Sequence, residues 1–180
     1  IEIDLGNHSN ILIYDSQLNM VERFEPNGSN SPAGYYYNSS KLDELLKLEL
    51  NKYIQNYIFL SPKEYLPKIG LQMYENLENK KKKIGDPGGY CSSWSLWYAS
   101  MVLKYPDIKR QKLILKLIYT IKKSQIAFKD YIRYYTNDII KIRNDIFINS
   151  NIDINDWINN NYNSKNYNII VQNIKTKFNL

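Results

Sequence analysis

Two residue types that occur once each in this chain are able to do chemistry together. Cys91 is the only cysteine among 180 residues, and His8 is the only histidine. A thiol becomes a nucleophile when it loses its proton, and an imidazole is the side chain that accepts such a proton near neutral pH. The pair therefore predicts nucleophilic thiol chemistry, which competes with the common alternatives of a buried, inert cysteine and a structural histidine.

The residues around Cys91 favour the reactive interpretation. Cys91 follows Gly88, Gly89 and Tyr90 and opens an apolar stretch that predicts a helix over 91–104. The free amides and the dipole at a helix N-terminus stabilise a thiolate. The glycines let a polypeptide backbone approach closely, and their amides can face an oxyanion. We expect Gly88, Gly89, Tyr90 and Asn10 to bind the substrate.

An imidazole base needs a third group that holds its ring in one tautomer. Glu25 lies 17 residues after His8, at the end of the second of two predicted strands, 10–15 and 20–25. Antiparallel pairing of these strands brings Glu25 back beside His8. Asp15 is a weaker candidate because it lies at the turn end of the hairpin, and Glu22 is a weaker candidate as well.

A family resemblance rests on these same residues. His8, a following strand, the segment Phe24-Glu25-Pro26-Asn27-Gly28 and a cysteine at a helix start resemble the adenain and Ulp-type (clan CE) cysteine proteases, and also protease-like proteins of large DNA viruses. The resemblance covers 8–103 and implies that Gln72 helps to hold the oxyanion. Two features depart from the family: Ser9 replaces a tryptophan, and Gln72 lies 19 residues before Cys91 instead of a few.

The resemblance implies a thiol protease or isopeptidase with a Cys-His-Glu triad and no cofactor. Its expected substrate is ubiquitin, a ubiquitin-like modifier or a viral precursor polyprotein, cut at a glycine-rich site. An acetyltransferase of the same clan is one alternative. A non-catalytic basic binding module is the other.

Composition and charge limit the partners and the compartment. The run Lys80 to Lys83 indicates a solvated loop. This run and the net charge of +6 allow a weak contact with nucleic acid. A single cysteine excludes an intrachain disulfide and fits a reducing compartment, so we expect the host cytoplasm or a virion. The sequence has no apolar run long enough to span a membrane. Asp86 is expected to hold its glycine turn, and Trp94 and Trp97 to lie in the core.

The periodicity of apolar residues predicts an α+β fold in a single domain over 1–180, which stands alone or belongs to a longer chain. The expected architecture is a papain-like or Ulp-type fold, in which a mixed sheet packs against the helix that starts at Cys91, with extra helices after it. The predicted helices are 39–55, 91–104, 107–123, 126–148 and a turn near 156–158. A third strand is predicted at 57–61, 69–74 is strand or turn, and 167–178 is strand or helix.

Overall fold

A computed structural model describes residues 2–4, 8–30, 38–78 and 89–178. The chain divides into two compact units, Ile1–Ile132 and Arg133–Leu180. Each unit is described by itself, and the prediction of one domain over 1–180 stays a prediction.

The first unit contains a four-stranded sheet in the order β1-β2-β3-β4. Strand β2 is antiparallel to both β1 and β3, and β4 runs parallel to β3. A parallel neighbour needs a long crossover connection, which contains the first helix here. The strand bounds are β1 Glu2–Asp4, β2 Ser9–Asp15, β3 Met20–Phe24 and β4 Ile58–Leu60.

Among the described residues, five helices lie wholly in the first unit, with α1 between β3 and β4 and the other four after β4. The sequence predicted α1 and α4 at these places, but it left 69–74 as strand or turn, where the structure has α3. Gly70 precedes α3 in an extended conformation and begins it without a side-chain cap. The helix bounds are α1 Ser39–Leu50, α2 Pro62–Tyr65, α3 Leu71–Leu77, α4 Cys91–Lys104 and α5 Arg110–Lys123.

Helices cover both faces of the sheet. On one face Phe24 stacks on Tyr98 of α4 with ring centroids 4.0 Å apart, and Glu22 accepts a 2.6 Å hydrogen bond from Arg110 of α5. On the other face Arg23 donates to Asp43 of α1. A strand covered on both sides loses the alternation of buried and exposed residues. This explains why the four positions from Val21 to Phe24 are all buried.

The β2–β3 hairpin has a turn that its polar residues stabilise. Asp15 accepts hydrogen bonds from the backbone N–H groups of Gln17 and Leu18, and Asn19 adopts a left-handed φ of 45°. Asparagine is among the residues that adopt this conformation most readily. The resulting register pairs Ile11 with Phe24, so the start of β2 lies beside the end of β3.

The second unit is helical. Helix α6 begins in the first unit and runs over Phe128–Ser150, followed by α7 Ile154–Ile158 and α8 Ser164–Phe178. The sequence left the last segment as strand or helix, and the structure makes it a helix. Trp157 of α7 packs edge-on against Phe147 and stacks on Tyr162 at 4.1 Å. The assignment of the whole chain to a papain-like or Ulp-type fold stays a prediction.

Candidate functional site

The predicted contact between His8 and Glu25 is present in the structure. His8 Nε2 lies 2.8 Å from Glu25 Oε1 and 3.0 Å from Oε2, and both side chains are buried. The hairpin register brings them together, as the sequence indicated. The two weaker candidates for this contact are paired elsewhere, because Glu22 and Asp15 both bind Arg110.

Cys91 opens α4, and its thiol lies near enough to the His8 side chain for each group to shift the pKa of the other. Since Nε2 of the ring faces Glu25, Nδ1 is the nitrogen left for the thiol. The thiol also receives hydrogen bonds from the backbone of Ser9 and Ser92. Cys91, His8 and Glu25 therefore form one buried cluster of side chains, in which His8 and Glu25 are hydrogen-bonded and Cys91 is 8% exposed.

Interactions within this cluster shift the pKa of His8 and the pKa of Cys91. Burial alone lowers the pKa of His8, but hydrogen bonds with Cys91 and Glu25 and their negative charges outweigh it and raise the pKa to about 9. Burial alone raises the pKa of the Cys91 thiol. The hydrogen bonds from His8 and the backbone outweigh it, so the pKa of this thiol is lowered from its usual value. Both shifts favour a thiolate beside an imidazolium.

Gln72 reaches the same region from α3, although 19 residues separate it from Cys91. Its Oε1 accepts a 3.5 Å hydrogen bond from Asn27 Nδ2. Its Nε2 faces Gly89, where a Cβ would lie only 3.0 Å from that nitrogen. A side chain larger than that of glycine would therefore crowd the amide.

Two residues that complete the site were missed by the sequence analysis. Asn27 donates to Glu25 Oε1 from its backbone at 2.9 Å and from its side chain at 3.2 Å, and it also contacts Gln72. Gly70 donates from its backbone to Asn27 at 2.8 Å, which places α3 beside the segment after β3. The signal for Asn27 lay inside the Phe24–Gly28 segment itself. Gly70 carried no comparable signal.

Other residues expected to bind a substrate are placed differently. Asn10 is fully buried and accepts a hydrogen bond from Arg23 Nη1, so it belongs to the core network of that guanidinium and not to a substrate surface. Tyr90 is also buried, at 5% exposure, because its side chain contributes to the core. Gly89 is exposed beside Cys91. Gly88, Asp86 and Lys80–Lys83 lie outside the described residues.

The two tryptophans of α4 have the packing role that the sequence predicted. Trp94 and Trp97 are buried and meet edge-to-face with centroids 5.5 Å apart, and Trp94 Nε1 donates to Glu75 at 3.1 Å. Among the described residues, no group of three acidic, histidine or cysteine side chains is arranged to hold a metal ion.

Comparison with known proteins identifies one informative relative. The chain is 40% identical over 169 residues to a protein of Acanthamoeba polyphaga mimivirus that is described as an ankyrin repeat protein. The match covers 89% of this chain, and the chain spans only 22% of the length of the relative. No protein-family model matches the chain. No solved structure matches it either.

The relative corrects the predictions drawn from the protease resemblance. The relative is described as an ankyrin repeat protein and not as a protease. No family model supports membership of the adenain and Ulp-type proteases. The predicted family, the thiol protease or isopeptidase activity and the acetyltransferase alternative are therefore wrong. The contact of His8 with Glu25 and the position of Cys91 at the start of α4 remain features of the structure.

The first unit is not itself an array of ankyrin repeats. An ankyrin repeat is a unit of 33 residues built from a turn and two helices. Here strands β1 to β4 form a sheet that such an array lacks.

In the described part of the chain, no helix is long and apolar enough to cross a bilayer.

Proposed function

We propose that this chain is a non-enzymatic protein-interaction module that binds a polypeptide segment of its partner in a groove of the second unit. The similarity to an ankyrin repeat protein supports an interaction role, since stacked repeats present extended binding surfaces. The groove is the observation that carries the proposal.

The groove lies between the C-terminal half of α6 and α7 and has a volume of about 950 Å³. Six polar or charged and four apolar residues line it, and Ile148 among the apolar ones is 74% exposed. Monomeric proteins seldom leave large apolar side chains clustered in water unless the cluster binds something. The apolar lining residues are Phe147, Ile148, Ile152 and Ile154.

The charged residues at the rim of the groove indicate which charge the partner should carry. Asp153 and Asp156 both line the groove, while Arg143 is its only lining residue of opposite charge among those described. Two carboxylates against one guanidinium favour a segment that carries a basic residue next to its apolar anchors. We propose that the partner inserts apolar side chains between α6 and α7 and places a basic side chain at the rim.

The first partner class we propose is a ubiquitin-like modifier or ubiquitin itself, and the second is a viral precursor polyprotein. The viral relative supports a partner in the host cytoplasm or the virion. The lysine run 80–83 adds a weak nucleic-acid contact to this proposal.

The groove is tested by comparing two exposed isoleucines of the second unit. Ile148→Asp changes a lining residue, and Ile158→Asp changes a residue that is 65% exposed outside the groove. We expect Ile148→Asp to weaken binding about tenfold or more, because one buried aliphatic anchor contributes 1.5–3 kcal/mol, and Ile158→Asp to leave it unchanged. Calorimetric titration with ubiquitin, ubiquitin-like modifiers and fragments of the viral structural precursors measures the effect.

Two results would contradict the proposal. If no member of that panel binds the wild-type chain, the partner class is wrong. If binding occurs and both aspartate variants weaken it equally, the groove is not the binding surface. Circular dichroism of both variants checks that the second unit keeps its helices.

A further inference from the structure

The exposed side of α5 is rich in lysine. From residue 108 to residue 129 the chain has seven basic residues and no acidic one. We propose that the exposed side of α5 binds the sugar–phosphate backbone of single-stranded nucleic acid. This surface consists of other residues than the lysine run 80–83, and the proposal is independent of the groove in the second unit. The seven basic residues are Lys109, Arg110, Lys112, Lys116, Lys122, Lys123 and Lys129.

The two sides of α5 have different surroundings. On the buried side, Arg110 binds two carboxylates of the first unit. On the other side the lysines are exposed, and in the described part of the chain none of Lys112, Lys116 and Lys123 pairs with a carboxylate. Their charge is therefore available to a partner. The apolar residues of the buried side are Leu113, Ile114, Leu117, Ile118 and Ile121.

Three of these lysines lie along one ridge of the helix. Lys112, Lys116 and Lys123 have the spacing i, i+4 and i+11, which places them on one line along the surface of α5. With a rise of about 1.5 Å per residue, this line is about 16 Å long. Lysines at i and i+4 repel each other and destabilise a helix. An anionic partner along the ridge removes this repulsion, and a nucleic-acid strand presents a regular row of anions.

A tyrosine before α5 extends the positive surface. The Nζ atoms of Lys104 and Lys116 lie 5.7 Å and 5.5 Å from the centroid of the Tyr105 ring. The electron-rich face of an aromatic ring attracts such cations. The row of cations therefore continues from α5 to the end of α4, which lengthens the surface available to a phosphate chain.

An exposed aromatic ring distinguishes a single strand from a duplex. Tyr119 lies on the same ridge, between Lys116 and Lys123, and is 64% exposed. Proteins that hold single strands without reading their sequence combine a positive surface with aromatic rings on which bases stack. The bases of a duplex are already stacked inside it and do not reach such a ring. The position of Tyr119 therefore favours a single strand.

An anionic bilayer is the main competing partner. A helix that lies in a membrane interface inserts a broad apolar side among the lipids. The broad apolar side of α5 packs in the core, and within α5 the large apolar residues that stay exposed are Leu115 and Tyr119. The exposed side therefore fits a polyanion that is bound through charge and stacking better than it fits a bilayer.

Fluorescence anisotropy of a labelled oligothymidylate of about 15 nucleotides tests the proposal at a series of NaCl concentrations. The triple variant Lys112→Gln, Lys116→Gln and Lys123→Gln should bind more weakly than the wild-type chain. The slope of the logarithm of Kd against the logarithm of the NaCl concentration should fall by about 2, because each contact with a single strand contributes about 0.7.

The matched control removes three exposed lysines from the second unit. Lys141→Gln, Lys165→Gln and Lys175→Gln together make the same change in net charge. This control should keep the salt dependence of the wild-type chain. Circular dichroism of both triple variants checks that their helices are kept.

A second pair of variants tests the stacking. Tyr119→Ala should weaken binding of the oligothymidylate about fivefold or more, since a stacked base is lost. Tyr134→Ala removes a ring that is also 64% exposed, and it should leave binding unchanged.

The proposal is overturned by any of four results. The first is no binding of the oligothymidylate at low salt, whether or not phosphatidylserine vesicles bind. The second is an equal loss in the two triple variants, which would show that net charge and not α5 attracts the strand. The third is an equal effect of the two tyrosine variants. The fourth is a duplex of the same length that binds as tightly as the single strand.

Discussion

His8 connects the two ionisable partners of the site. Nε2 of its ring faces the carboxylate of Glu25, and the thiol of Cys91 lies near enough to shift the pKa of the ring. The resulting pKa of about 9 lies above the ordinary value of 6.5 for histidine. Because the folded-state pKa is the higher one, protonated His8 stabilises the fold fully below about pH 6.5. That contribution is lost as the pH rises through about 9.

Replacing the carboxylate tests this description at the level of one residue. Glu25→Gln removes the negative charge beside the ring, so we expect the pKa of His8 to fall by about one unit or more. Titration of the imidazole proton signals by NMR measures this pKa, and the spectrum contains a single histidine. Asp15→Asn is the control, because Asp15 pairs with Arg110. A His8 pKa that stays the same in Glu25→Gln would show that Glu25 does not set it.

At the scale of the elements, two backbone segments cross at a pair of glycines. Gly28 has a φ of 110°, and a Cβ on it would lie 2.6 Å from the Pro67 oxygen. A Cβ on Gly70 would lie 2.4 Å from both the Gly28 nitrogen and the Pro26 oxygen. Backbone hydrogen bonds from Gly70 to Asn27 and from Gln72 to Pro26 join the segments. This crossing places α3 beside the end of β3.

Adding a Cβ at the crossing should destabilise the packing of α3 against the segment after β3. Gly70→Ala is expected to lower the free energy of unfolding by about 1–3 kcal/mol, because the clash is with backbone that has no room to shift. Urea unfolding followed by circular dichroism measures the loss. Gly89→Ala is the matched control, since its Cβ would meet only the end of the Gln72 side chain, at 3.0 Å. A smaller loss in Gly70→Ala than in Gly89→Ala would contradict the proposed role of the crossing.

At the scale of the whole molecule, a charged pair in the core makes stability depend on pH. Burial raises the pKa of Glu22 to about 7 from the usual 4.5, although the charge and hydrogen bond of Arg110 oppose the shift. A carboxyl group with a raised pKa destabilises the fold when it ionises. Its contribution is most favourable below about pH 4.5 and is lost as the pH rises to about 7.

The variant Glu22→Gln isolates this contribution. Relative to the variant, the wild-type chain should lose about 2–4 kcal/mol of unfolding free energy between pH 4.5 and pH 7, since each pKa unit corresponds to about 1.4 kcal/mol. Urea unfolding of both proteins at a series of pH values measures the difference. A difference that does not change with pH would show that Glu22 remains ionised in the fold throughout this range.

Part of this structure could be predicted because it depends on local patterns. The β2–β3 hairpin follows from apolar residues beside a polar turn, and α4 follows from the helical spacing after Cys91. The contact of His8 with Glu25 follows from the hairpin register alone. Helix α3 could not be predicted in the same way, because its start depends on Gly70 meeting the segment around Asn27 from elsewhere in the chain.

The amino-acid sequence alone determined which residues are able to react, since one thiol, one imidazole and a carboxylate at hairpin spacing are properties of residue type and order. Only the tertiary structure decided that Gln72 faces Gly89, that Asn10 belongs to the Arg23 network and that a groove opens between α6 and α7. These features depend on contacts between segments far apart in sequence or on side chains left uncovered by packing. Periodicity within a single segment does not contain that information.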